Sequence, residues 1–142
     1  MRLGFYGALT LLGLGGCAEY QITLNEQPIY TPPPLYSQYE VADEALRNCL
    51  RQTILDQRIT QADQLSRLIC RHAGIESLQG LETFVALEEL DISHNALRDL
   101  SPLQNLPKLR LLRAHDNPEL LCDSLPVSRE TLEIMAPAHC TE

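Results

Sequence analysis

Three residues with metal-binding side chains recur at one interval: His72, His94 and Asp116 lie 22 positions apart. Two imidazoles and a carboxylate form a donor set suited to transition metals. A fold that stacked these positions would therefore hold the parts of a metal-dependent hydrolase. The competing reading is a column of polar residues at the ends of repeated strands, and it is the one favoured here. On that reading the purified domain holds no stoichiometric metal, and one zinc lost on replacing His94 with Ala would overturn it.

Other chemistry is scarce. No serine sits in a nucleophile-elbow setting, and no Cys/His pair or facing acids stand out. The glycines Gly13, Gly15 and Gly16 lie in an apolar N-terminal run rather than in a phosphate-cradling loop. His139 beside Cys140 suggests an activated thiolate, but an exported cysteine near a domain end is more often disulfide-bonded. The expectation is a protein with no catalytic residue and no cofactor.

The 142 residues suit one modest core, rich in Leu and without Trp. A formal charge of −8 offers nothing to a phosphate backbone, so nucleic acid is not an expected partner. The same charge gives no attraction to anionic lipid, so membrane association requires an anchor. The first residues supply a candidate. Arg2 precedes an apolar run from Leu3 to Leu14, too short to span a bilayer. Leu14-Gly15-Gly16-Cys17 follows and resembles a lipobox, which implies cleavage before Cys17 and lipid attachment to it. Ala18 after the cysteine resembles sorting to the outer membrane. The alternative is an ordinary signal peptidase site at Gly16-Cys17-Ala18, which releases a secreted or periplasmic soluble protein.

The expected organisation is a signal peptide at 1–16, then lipidated Cys17 and a tether to residue 40. Pro28, Pro32, Pro33 and Pro34 among four tyrosines read as a semi-rigid polyproline spacer. Tyr20, Ile22 and Leu24 alternate as one short strand would, and the tyrosines either pack on the domain or form a recognition motif. A helical cap spans 41–64, repeats span 65–118, and a second cap spans 119–142.

The repeat is the strongest signal. Aligning Leu65–Ala86 with Leu87–Lys108 stacks Leu65 on Leu87, Leu68 on Leu90, Cys70 on Ile92, Ile75 on Leu97, Leu78 on Leu100, Leu81 on Leu103 and Phe84 on Leu106. A third copy begins at Leu109, Leu112, Ala114 and Asn117 and breaks at Glu119, where the array is expected to end. Leu90 and Ile92 point to one face of a short strand, and Leu97, Leu100 and Leu103 recur at threes as in tight 3₁₀ turns.

The stretch Leu87-Glu88-Glu89-Leu90-Asp91-Ile92-Ser93-His94-Asn95-Ala96-Leu97 resembles the leucine-rich-repeat signature, in the short 22-residue class of bacterial internalin-like proteins. The resemblance covers about 65–117. It implies an α/β repeat fold: a solenoid of parallel strands and 3₁₀ turns between a helical N-terminal cap and a small helical C-terminal cap. It implies that Asn95 and Asn117 bond the backbone of adjacent coils, with Ala73 leaving that ladder incomplete. It also implies a protein-binding surface on the outward strand positions, here Arg67, Glu89 and Leu111; Ile69, Asp91 and Arg113; and Arg71, Ser93 and His115. Opposite charges adjoin within these columns, so a self-neutralised ladder is the competing reading. A third possibility is a purely structural envelope component.

Both flanks read as caps. Val41, Ala45, Leu46, Cys49, Leu50 and Ile54 follow helical spacing with Asp43 as N-cap, and Thr60-Gln61-Ala62-Asp63 resembles a capping box. A helix is expected from Arg129 to Met135. Once Cys17 is set aside, four cysteines permit three pairings. The two-cap layout favours Cys49–Cys70 and Cys122–Cys140, and no zinc-type spacing competes.

Overall fold

A computed structural model describes residues 22–24, 27–127 and 130–141, in two compact units that divide between Pro33 and Pro34. The signal segment, the lipobox and Cys17 lie outside the described residues. The smaller unit holds an antiparallel hairpin of β1 (Ile22–Leu24) and β2 (Gln27–Tyr30), with a register shift between Ile22 and Thr23. One strand was expected here, not two. A second is possible despite Pro28 because a two-stranded ribbon has only edges, where a missing donor is tolerated.

The larger unit begins earlier than the tether boundary suggests. Tyr36 donates its backbone N–H to the Ile59 carbonyl at 2.8 Å, and the rings of Tyr36 and Tyr39 lie 6.0 and 5.7 Å from that of Phe84. Aromatic burial against a fully buried Phe84 draws residues 34–40 onto the solenoid.

Helix α1 (Glu44–Gln57) starts where Asp43 Oδ1 accepts the Leu46 N–H at 2.9 Å and stops at Arg58, which is left-handed at φ 53°. Leu46, Leu50 and Ile54, spaced by fours, are buried and close the open end of the repeat core. Asp43 does a second job: its Oδ2 accepts the N–H groups of Glu76 and Ser77 at 2.9 and 3.1 Å, tying the cap to the first coil. The Cys49–Cys70 disulfide joins the same two parts. In the next turn (Ala62–Gln64) the reaching-back residue is Gln64, one position past the Asp63 expected from sequence. Its Oε1 accepts from the N–H groups of Thr60 and Gln61 at 2.8 and 3.3 Å.

Strands β3 (Arg67–Ile69), β4 (Glu89–Asp91), β5 (Leu111–Arg113) and β6 (Glu133–Met135) form one parallel sheet in chain order. Leu68 pairs with Leu90, Leu90 with Leu112 and Leu112 with Ile134. The chain returns through 3₁₀ turns at Leu81–Thr83, Ser101–Asn105 and Cys122–Ser124. Each pair in the sequence alignment from Leu65/Leu87 to Phe84/Leu106 is buried. At Gly80, φ is 98° and a Cβ would fall 2.0 Å from the Glu40 carbonyl oxygen, so only glycine lets the chain pass there.

Where a helix was expected over 129–135, Glu133–Met135 forms the fourth strand instead. Glu119 is exposed and ion-paired with Arg98, while Leu120 takes the buried place one residue later. The apolar pattern slips at that point, then Ile134 returns to the 22-residue register. Pairing to β5 outweighs the weak helical spacing of so short a segment. The C-terminal cap therefore consists of this strand and two short 3₁₀ turns, Cys122–Ser124 and Ala138–Cys140, joined by the Cys122–Cys140 disulfide.

Buried amides knit the coils together. Asn95 Oδ1 accepts the N–H groups of Ala73 and Ile75, both at 3.1 Å, and its Nδ2 donates to the Cys70 and Ile92 carbonyls at 2.8 and 2.9 Å. Asn117 repeats the pattern toward Leu97, Ile92 and Ala114. The next position in this series is His139, whose Nε2–H donates to the Leu120 carbonyl at 3.0 Å.

Replacing Asn95 with Ala strands several buried backbone groups and should cost about 3–5 kcal/mol in urea unfolding, since each orphaned group costs about 1–3 kcal/mol. A loss under about 1 kcal/mol would contradict the role given to the amide. Converting both Cys49 and Cys70 to Ser should lower stability by about 3 kcal/mol, the value for a loop of this size; an unchanged unfolding midpoint would show that the bond contributes nothing.

Candidate binding surface

The outward side chains of the sheet come from alternate positions on four three-residue strands, so their spacing is that of the strands, about 4.8 Å. Charges dominate the middle. Arg67 pairs with Glu89 at 3.1 Å, Arg113 with Glu89 at 2.7 Å, and Arg71 with Asp91 at 2.6 Å. Arg113 also lies 3.9 Å from Asp91, so the two acids and three arginines form one network rather than separate rungs. Arg110 and Glu88 add a further pair where the strands begin.

Two residues assigned to the exposed surface are not on it. Asp91 and Ser93 are fully buried. Arg71, in the turn after β3, and Arg113, on β5, reach toward Asp91, and the Ser93 hydroxyl donates to Asp91 Oδ1 at 2.7 Å. Burial opposes the Asp91 charge, but the hydrogen bonds from Ser93 and Arg71 and the Arg71 charge together outweigh it and hold the carboxyl below its ordinary value. Among the other surface residues, Arg67, Ile69 and Arg71 are exposed, and Glu89, Leu111, Arg113 and His115 are half-buried.

Strand β6 brings two residues that sequence reasoning missed. Glu133 continues the column of Arg67, Glu89 and Leu111, and Met135 continues that of Ile69, Asp91 and Arg113. Both are exposed. The available signal was Ile134, 22 residues after Leu112. The face thus carries an exposed apolar residue on each outer strand, Ile69 and Met135, with paired charges between them.

The polar column at the strand ends has a backbone cause. His72, His94 and Asp116 are left-handed, with φ of 52°, 56° and 56°. Such a conformation strains most side chains but is relatively accessible to Asn, Asp and His. The structure splits the trio aligned from sequence. His72 stacks flat on His94, with centroids 4.2 Å apart. The nitrogen and oxygen donors that converge are those of His94, His115 and Asp116: His94 Nε2 lies 3.3 Å, and His115 Nε2 3.8 Å, from Asp116 Oδ2. His139 also lies near Cys122 and Cys140, but both sulfurs are in the disulfide.

These coils and their inward leucines define a short leucine-rich-repeat solenoid. In a comparison with solved structures, internalin C2 of Listeria monocytogenes superimposes with a TM-score of 0.50 at 22% identity, over 60% of this chain and 42% of that one. The leucine-rich repeat-containing protein 56 of Rattus norvegicus is 40% identical over 58 residues, which is 41% of this chain and 11% of that protein. The type-2 geranylgeranyl transferase subunit alpha of Sus scrofa is 38% identical over 65 residues, 44% and 11% respectively. The chain thus spans about a ninth of the length of these curated relatives. No family model matches it. No helix among the described residues is long and apolar enough to cross a membrane.

Asp91 yields a pH test. Because its carboxyl is depressed in the folded state, its contribution is present above the ordinary value of 3.8 and is lost as pH falls through the lower folded value. Asp91→Asn should therefore cost about 1.5–3 kcal/mol at pH 7, the range for a lost hydrogen bond to a charged group. The wild-type and variant urea curves should converge as the folded carboxyl protonates. A constant gap between pH 7 and acid would mean that the charge is not what matters.

Proposed function

We propose that this chain is an exported, non-enzymatic lipoprotein, acylated at Cys17, whose solenoid binds a protein of the envelope or extracellular space. The leucine-rich-repeat fold supports protein interaction in general. The lipobox-like Leu14-Gly15-Gly16-Cys17 supports the anchor, and Ala18 favours the outer membrane as destination.

One observation carries the choice of surface. On the sheet face the charges of Arg67, Arg71, Glu89, Asp91 and Arg113 already satisfy one another, so they offer a partner orientation more than affinity. What remains unsatisfied is apolar: Ile69 and Met135 are exposed, and Leu111 is half-covered between them. Apolar contacts framed by polar groups are the usual composition of a protein interface.

In the native cell, radiolabelled palmitate should enter the wild-type chain and not Cys17→Ala, and the variant should leave the membrane fraction. A photo-crosslinker at Ile69 or Met135 should trap a discrete protein that the same group at exposed Lys108 does not. Soluble wild-type protein without label would remove the anchor from this proposal. Equal crosslinking from all three positions would remove the surface.

A further inference from the structure

We infer that His94, His115 and Asp116 form a binding site for one divalent transition metal ion of the zinc class at the end of β4 and β5. The three donors come from two consecutive coils. Their ligand atoms all lie within 4.8 Å of one another, and the two contacts to Asp116 Oδ2 are 3.3 and 3.8 Å. Ligands about 2.0–2.2 Å from a tetrahedral ion lie about 3.3–3.6 Å apart, so closure asks for only a small rotation of two partly exposed rings.

The surroundings favour this geometry. The left-handed backbone at His94 and Asp116 holds both side chains at the same point of successive turns. His72 stacks on the face of His94, fixing the ring plane while leaving its edge nitrogen toward Asp116. His115 meets His94 edge-on, with centroids 5.3 Å apart. Its Nδ1 is buried without a hydrogen-bond partner, which leaves Nε2 as the nitrogen facing the site. Binding through Nε2 places the proton on that buried Nδ1, so the affinity is that of a modest site and not of a structural zinc centre. Two imidazoles and one carboxylate leave at least one position of the ion open, to water or to a donor from a bound partner. From sequence the candidate group was His72, His94 and Asp116, read in the end as a column of polar residues at the strand ends; the structure replaces His72 in that group with His115.

The test uses the full chain, oxidised, free of any affinity tag and stripped of metal, titrated calorimetrically with Zn²⁺ alone. The expected result is one ion per chain with a dissociation constant tighter than about 0.1 mM. His94→Ala, His115→Ala and Asp116→Asn should each weaken binding by more than about 10-fold, and His72→Ala, a supporting contact only, by less than any of these. These side chains are at the surface, and circular dichroism of each variant checks that it folds. A wild-type constant weaker than about 0.1 mM overturns the site. So does stoichiometric binding retained by the His94→Ala/His115→Ala double variant, or a loss in His72→Ala equal to that in the three ligands.

Discussion

A solenoid coil turns away from its strand after three residues, and at every such corner the backbone leaves N–H and C=O groups with no strand or helix to receive them. Burying those corners against a neighbouring coil is possible only if a side chain supplies both a donor and an acceptor. Asn95 and Asn117 do this, each bonding to its own coil and to the one before. The stacked leucines provide most of the burial, but without the amides their coils could not approach closely enough to share a core. The rest of the architecture follows from this requirement and from what happens where it can no longer be met.

It is no longer met at either end. The first coil has Ala73 in the amide position, and there the cap takes over: Asp43 accepts two backbone N–H groups of that coil while also starting α1. Burial disfavours its charge, yet the backbone donors at Leu46, Glu76, Ser77 and Ala45 hold its carboxyl below the ordinary range. At the other end His139 occupies the amide position and reaches only one carbonyl. A disulfide accompanies each irregular end, which places the covalent links where the noncovalent ladder is thinnest.

Much of this was legible in the amino-acid order, because a core built from one residue type at fixed intervals prints its period directly. The inward positions of the first two coils and the Asp43 cap follow from spacing, and the role of the amides from the resemblance to leucine-rich repeats. What escaped has specific causes. The strand at Glu133–Met135 was hidden by the slip at Glu119 and Leu120, which broke the period before it resumed. The burial of Asp91 and Ser93 was hidden because alternation assigns them outward, whereas Arg71, from the turn after β3, and Arg113, from β5, reach Asp91, and Ser93 bonds to it. The grouping of His115 with Asp116 was invisible because the two are sequence neighbours that alternation would send apart, and only the left-handed turn at Asp116 brings them together.

The covalent ties are local. Cys49–Cys70 binds the helix to the first coil, Cys122–Cys140 closes the last segment upon itself, and neither touches the 22 residues from Leu87 to Lys108. That middle unit is held by the same contacts above and below, so it is modular: an extra copy spliced beside it would meet surfaces already shaped to receive it and leave both termini as they are. Length in such a scaffold is an adjustable quantity, and evolution or an engineer can enlarge the outward face one rung at a time without redesigning either end.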